Sequence, residues 1–152
     1  MGRRQPAFSL IELILVMAII TVLSAMAVPR YVGAQQRYRA DAAAQRIVTD
    51  LAMARSRANT TSASQAVLFN VATSQYQMPG VADLKNSGGT YMVLLGGAPY
   101  QATLVSVDFG GTAQVTFDGY GVPNSGGTVV VKAGGFQRIV TLDANSGKAT
   151  WQ

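Results

Sequence analysis

The chain has no cysteine and no histidine. The first absence excludes disulfides and thiolate metal sites. The second removes the commonest general base and the commonest metal ligand. Charge is also scarce: 12% of residues are charged, about half the roughly 25% of an ordinary globular domain. Acids are the rarer sign, 7 against 12 bases, for a net charge of +5. The excess is confined to the first 60 residues. Arg3 and Arg4 open the chain without an acid, and residues 8–60 carry Arg30, Arg37, Arg39, Arg46, Arg55 and Arg57 against Glu12, Asp41 and Asp50. Beyond them Lys85, Lys132, Arg138 and Lys148 are balanced by Asp83, Asp108, Asp118 and Asp143. That region has no net positive charge with which to hold phosphates. Its four aspartates are scattered beside loops, so an enzyme is a poor fit. Asp108, Asp118 and Asp143 are oxygen donors of the kind Ca²⁺ takes. Their spacing follows no calcium-loop pattern, and the better reading is turn formation. No metal and no cofactor is expected.

What is abundant is apolar. Residues 8–28 form a run of 21 with one charge, Glu12. About 20 such residues in a helix span the hydrocarbon core of a bilayer. Ser9, Thr21 and Ser24 can bond back to the helix and cost little there. Pro29 ends the run, and its missing N–H predicts a break or kink.

From about 31 to 60 the pattern becomes amphipathic. Ala40, Ala43, Ile47, Leu51, Ala54 and Ala58 recur at spacings of three and four and make one narrow apolar stripe. The arginines flank it. From 65 onward the period is two. Strands are predicted at Gln65–Val71, Tyr91–Leu95, Thr103–Val107, Ala113–Phe117, Thr128–Lys132, Phe136–Leu142 and Lys148–Trp151, with turn-forming clusters between them. Residues 79–90 and 118–127 read as loops. The expected fold is α+β: a long N-terminal transmembrane and stalk helix packed on an antiparallel β-sheet head. The segments are a leader (1–7), a transmembrane helix (8–28), an amphipathic stalk helix (29–60) and a β-rich head (61–152).

Ala7-Phe-Ser-Leu-Ile-Glu12 follows a short basic stretch and opens the apolar helix. It resembles the processing site of type IV prepilins and pseudopilins. That resemblance implies cleavage by a prepilin peptidase between Ala7 and Phe8, N-methylation of Phe8, and an acidic fifth residue of the mature chain, Glu12. It also places Pro29 where many pilins carry a helix-breaking proline. The residue before the cut is usually Gly in that family; here it is Ala7, one methyl larger, and slower processing is expected. Under this reading Glu12 has a physical role. A carboxylate in the apolar zone costs roughly 2.5–3.5 kcal/mol by insertion scales. Pairing with the Phe8 amine of its own or a neighbouring subunit offsets that cost and sets helix register on assembly. The bland alternative is a carboxylate that simply reaches the headgroup zone.

The segment Leu51-Ala-Met-Ala-Arg-Ser-Arg57 is similar to one in GspH/FimT-type minor pseudopilins. So is the later layout of Val115-Thr-Phe-Asp-Gly-Tyr-Gly-Val122, Gln137-Arg-Ile-Val140 and Asn145-Ser-Gly-Lys-Ala149. The resemblance implies a pilin-like head and a structural subunit of a type II secretion pseudopilus or a type IV pilus. Its partners would be other pilins and an inner-membrane assembly platform. The chain would be single-pass in the inner membrane, with a cytoplasmic N-terminus and a periplasmic head. Charge alone does not set that orientation, because arginines flank both ends of the run.

Two other readings stand beside it. A secretory signal peptide would cut after Ala25-Met-Ala27 and release a soluble domain from Val28. The run is longer than such signals, carries Glu12 and leads into a helix. A DNA-uptake role would use the arginines of 30–57. A neutral head argues against it, and solvated flanks or inter-subunit pairing with Asp41 and Asp50 is the better reading. Tyr31 and Tyr38 are candidate membrane-interface anchors, with packing under the sheet the alternative for Tyr38. Trp151 is expected in the core, with an exposed partner contact as its alternative.

Overall fold

The computed structural model of the chain describes residues 8–83 and 88–152, and of residues 26–29 the backbone alone. The leader 1–7, with Ala7, lies outside the described residues, as does Lys85 in the expected 79–90 loop. The chain divides into two compact units, one up to Gln35 and one from Gln36 onward.

The first unit is the opening stretch of helix α1 (Leu10–Thr61). Its large apolar side chains, Leu10, Ile14, Met17, Ile20 and Leu23 among them, are exposed. With a mean hydropathy of 2.6, α1 is long and apolar enough here to cross a membrane. The backbone stays helical across Pro29. The expected break at this residue is therefore not a helix end. Proline removes one donor from the ladder, and the good helix formers after it, alanine above all, carry the helix on.

The second unit joins the rest of α1 to eight strands: β1 (Gln65–Asn70), β2 (Gln75–Ala82), β3 (Thr90–Leu94), β4 (Thr103–Asp108), β5 (Gln114–Phe117), β6 (Gly127–Ala133), β7 (Phe136–Leu142) and β8 (Ala149–Trp151). The single sheet expected from the sequence is two four-stranded sheets, ordered β3-β2-β1-β5 and β4-β6-β7-β8. All pairings are antiparallel. Ser74 joins the sheets. Its carbonyl accepts the Leu95 amide at 2.9 Å, and its hydroxyl accepts the Leu104 amide at 3.1 Å.

The alanine stripe is the helix's core face. Ala40, Ala43, Ile47, Leu51, Ala54 and Ala58 are at most 1% exposed, and Ala44 joins them. Small side chains let a helix approach a sheet closely, so the bulk comes from the strands. Val67, Phe69, Tyr76, Met78, Val115 and Phe117 of the first sheet share one apolar cluster with Val129, Val131, Val140 and Leu142 of the second. Burying each large side chain contributes roughly 1.5–3 kcal/mol.

β2 has no counterpart among the predicted strands, since Pro79 and Gly80 argue against a strand interior. The ladder to β3 slips between Met78 and Ala82, and the chain bulges there. Side chains satisfy the carbonyls freed by the bulge. Gln65 Nε2 donates to the Pro79 oxygen at 2.8 Å, and Arg57 Nη2 to the Gly80 oxygen at 2.7 Å.

Gly127 opens β6 against the end of β4. A Cβ there would stand 2.1 Å from the Asp108 carbonyl oxygen and 2.5 Å from Phe109 Cδ1. Backbone cannot yield as a flexible side chain does. Gly127→Ala is expected to destabilise the head by about 2 kcal/mol or more, read as a lower urea midpoint with an unchanged slope. A wild-type midpoint would contradict the close approach.

Candidate functional site

The first candidate site is the start of α1. Phe8 and Ser9 precede the helix, and Phe8 is 82% exposed. Ser9 is the N-cap: its Oγ accepts the Glu12 amide at 3.3 Å, and its carbonyl accepts the Leu13 amide at 3.2 Å. Ser9-Leu-Ile-Glu12 thus has the sequence of a capping box, with Glu12 at the third helical position. The carboxylate stands at the positive end of the helix dipole. Ser9's cap was readable from this S-x-x-E spacing, a signal that back-bonding along the helix does not capture. Of the cleavage-site residues, Phe8 is described and Ala7 is not.

In the second unit, charges predicted to face solvent or a neighbouring subunit turn inward. Asp50 is 4% exposed. Its Oδ2 accepts from the Tyr76 hydroxyl at 2.5 Å, the Tyr91 hydroxyl at 2.8 Å and Arg46 Nε at 3.1 Å. Arg46 also donates to the Tyr91 hydroxyl. The cluster ties α1 to β2 and β3, so pairing of Asp50 with another subunit is ruled out by its burial. Burial first, and the Asp50 carboxylate second, push the Tyr76 hydroxyl far above the ordinary tyrosine range. Burial and its hydrogen bond to Asp50 push Tyr91 up to about 12. Asp41 likewise pairs within the chain, with Arg138 Nε at 2.6 Å. Arg46 is an i,i+4 neighbour of Asp50, but Tyr76, Tyr91 and Arg138 lie 26 to 97 residues from the aspartates they meet, beyond the reach of any local pattern.

The loop aspartates form turns. Asp108 Oδ1 accepts the Gly111 amide at 2.8 Å. Asp118 Oδ1 accepts the Tyr120 and Val122 amides at 2.9 and 2.8 Å. Asp143 Oδ1 accepts the Asn145 and Ser146 amides at 3.1 and 2.6 Å, and the bonds from Ser146 hold its carboxyl below the usual carboxylate range. Among the described residues no three acidic side chains gather as a metal site would require.

Trp151 is not in the core. It is 37% exposed; its indole N–H donates to Gln45 Oε1 of α1 at 2.8 Å, and the Arg138 guanidinium lies over its ring at 5.9 Å. β8 is the outermost strand of its sheet, so its last side chain meets the helix flank rather than the space between helix and sheet. Tyr31 and Tyr38 are 72% and 74% exposed, which removes packing under the sheet for Tyr38.

The fold has solved counterparts. The type IV minor pilin FimU of Pseudomonas aeruginosa superposes with a TM-score of 0.58 at 15% identity, over 76% of this chain and 90% of that one. The minor pseudopilin EpsH from the type 2 secretion system of Vibrio cholerae superposes with a TM-score of 0.57 at 18% identity, over 75% of this chain and 96% of that one. At these identities the likeness is one of fold. No curated protein matches the sequence significantly. Residues 2–28 match the prokaryotic N-terminal methylation motif, and residues 43–147 match the model of the type II transport protein GspH. The chain belongs to the GspH family.

Proposed function

We propose that the protein is a minor pilin-type subunit, inserted in the inner membrane by α1 and built into a type II secretion pseudopilus or type IV pilus by helix packing. The observation that carries this is the sequence of parts on one chain. A methylation motif covers residues 2–28, a membrane-length apolar helix begins at Leu10, and a GspH head follows over 43–147. The role is structural. Prepilin peptidase removes residues 1–7 between Ala7 and Phe8 and methylates Phe8. The N-terminus starts in the cytoplasm and the head lies in the periplasm. Glu12 then offsets the Phe8 amine in the assembled filament. That Phe8 and Ser9 lie outside the helix supports the cut, because a protease takes an extended segment and the Ser9 cap stops the helix short of it.

Mass spectrometry of the N-terminal peptide, taken from membranes of the producing bacterium, tests the reading. The expected peptide begins with methylated Phe8. A chain beginning at Val28 would show an ordinary signal peptide and overturn it.

A further inference from the structure

The depression between α1 and the turn joining β7 to β8 is lined by Ala52, Arg55, Ser56 and Asn59 on the helix and Gly147, Lys148 and Ala149 opposite, with a volume of about 410 Å³. It holds two cations and no acid. Two separate turns pass close to Arg55 there. A Cβ on Gly121 would stand 3.1 Å from Arg55 Cγ, and one on Gly147 3.4 Å from Arg55 Cδ. Both glycines have positive φ, 75° and 63°, so each turn passes the arginine stem where other residues would be strained. The stem runs close to both turns, and Arg55 Nε is buried with no acceptor among the described residues.

A buried donor without an acceptor is a standing cost to the fold. Four of the chain's carboxylates are already engaged. Asp118 and Asp143 cap their own turns, Asp50 is held by Arg46 and two tyrosines, and Asp41 is held by Arg138. None of these four carboxylates answers Arg55. A guanidinium presents a planar fork that suits a carboxylate in two-point contact. A nucleic-acid backbone asks for a track of cations, and this depression is lined by two, Arg55 and Lys148.

We propose that this depression is a carboxylate-binding site, in which Arg55, with Lys148 at the rim, holds an acidic side chain of a neighbouring subunit. The chemistry rests on the groove alone; the source of the carboxylate rests on the filament reading above.

The test uses the full chain in detergent micelles with its arginine side chains labelled for NMR, titrated with an end-capped tetraglutamate peptide. The Arg55 Nε–H resonance is expected to shift saturably. Affinity is expected to fall at least roughly tenfold in Arg55→Gln and in Lys148→Glu. Lys148 is exposed, so its variant is expected to keep the wild-type melting curve, which separates lost binding from lost folding. No saturable shift would overturn the site. Tighter binding of inorganic phosphate or of a DNA duplex than of the peptide would overturn the carboxylate assignment. In the producing bacterium, Lys148→Glu is expected to lower incorporation into filaments, and normal incorporation would overturn the neighbouring subunit as source. A wild-type chain that binds the peptide but enters no filament would overturn the filament reading and leave the groove's chemistry standing.

Discussion

Replacing Asp50 with alanine is expected to destabilise the head by roughly 2–4 kcal/mol and to lower its melting temperature by about 10 °C. The loss comes from what is left behind. Tyr76 is buried, and its hydroxyl has Asp50 as its acceptor. Arg46 is 39% exposed at its side chain, so water recovers part of its lost pairing and its share is the smaller one. Tyr76→Phe, which removes a donor and leaves Asp50 two others, is expected to cost about 1 kcal/mol. Equal losses in the two variants would show that the carboxylate is not the hub.

The same cluster sets an alkaline limit. Both tyrosine hydroxyls have folded pKa values raised above the ordinary 10.0. The folded state therefore keeps protons that the unfolded chain has given up. Their contribution is complete below about pH 10 and is lost as pH rises toward about 12 and beyond, where Tyr91 ionises first. Chemical unfolding followed from pH 8 to 12 is expected to show this fall, and the Tyr76→Phe/Tyr91→Phe double variant to flatten it.

Glu12→Leu is expected to leave membrane insertion intact, and easier by roughly 2.5–3.5 kcal/mol, while abolishing incorporation into filaments. The two effects have opposite signs because one carboxylate is a cost in lipid and a partner in the assembly. Glu12→Gln, which keeps the shape and loses the charge, is expected to fail as well. Ser9→Ala removes the cap, at about 1 kcal/mol, and is expected to assemble. The measurement is the amount of the chain in sheared filaments relative to membranes. Wild-type incorporation of Glu12→Leu would end the charge-partner role.

Residues that speak through local period were legible in the sequence. The helix stripe from Ala40 to Ala58 is the buried face, and seven of the eight strands follow from alternation and turn residues. β2 was hidden by Pro79 and Gly80, because a bulge supported by Gln65 and Arg57 is a tertiary arrangement. The division into two sheets turns on Ser74, a residue between strands whose carbonyl and hydroxyl accept from different sheets' ends. At the candidate sites, Phe8 and Glu12 were marked by the motif around them. Asp50 and Arg55 look like ordinary flank charges until the tyrosines and glycines from distant turns are brought beside them. Trp151 was misplaced because a large aromatic favours burial on average, whereas its strand lies at a sheet edge.

Strand β1 lies between β2, its sequence neighbour, and β5, which follows only after β3 and β4. That ordering has a kinetic consequence. Pairing Gln65 with Phe117 closes a loop of some fifty residues, and contacts of such separation form slowly. During synthesis α1 emerges first, and its alanine face waits uncovered until the last strands arrive. The unfinished head is thus exposed to aggregation for longer than its small size implies.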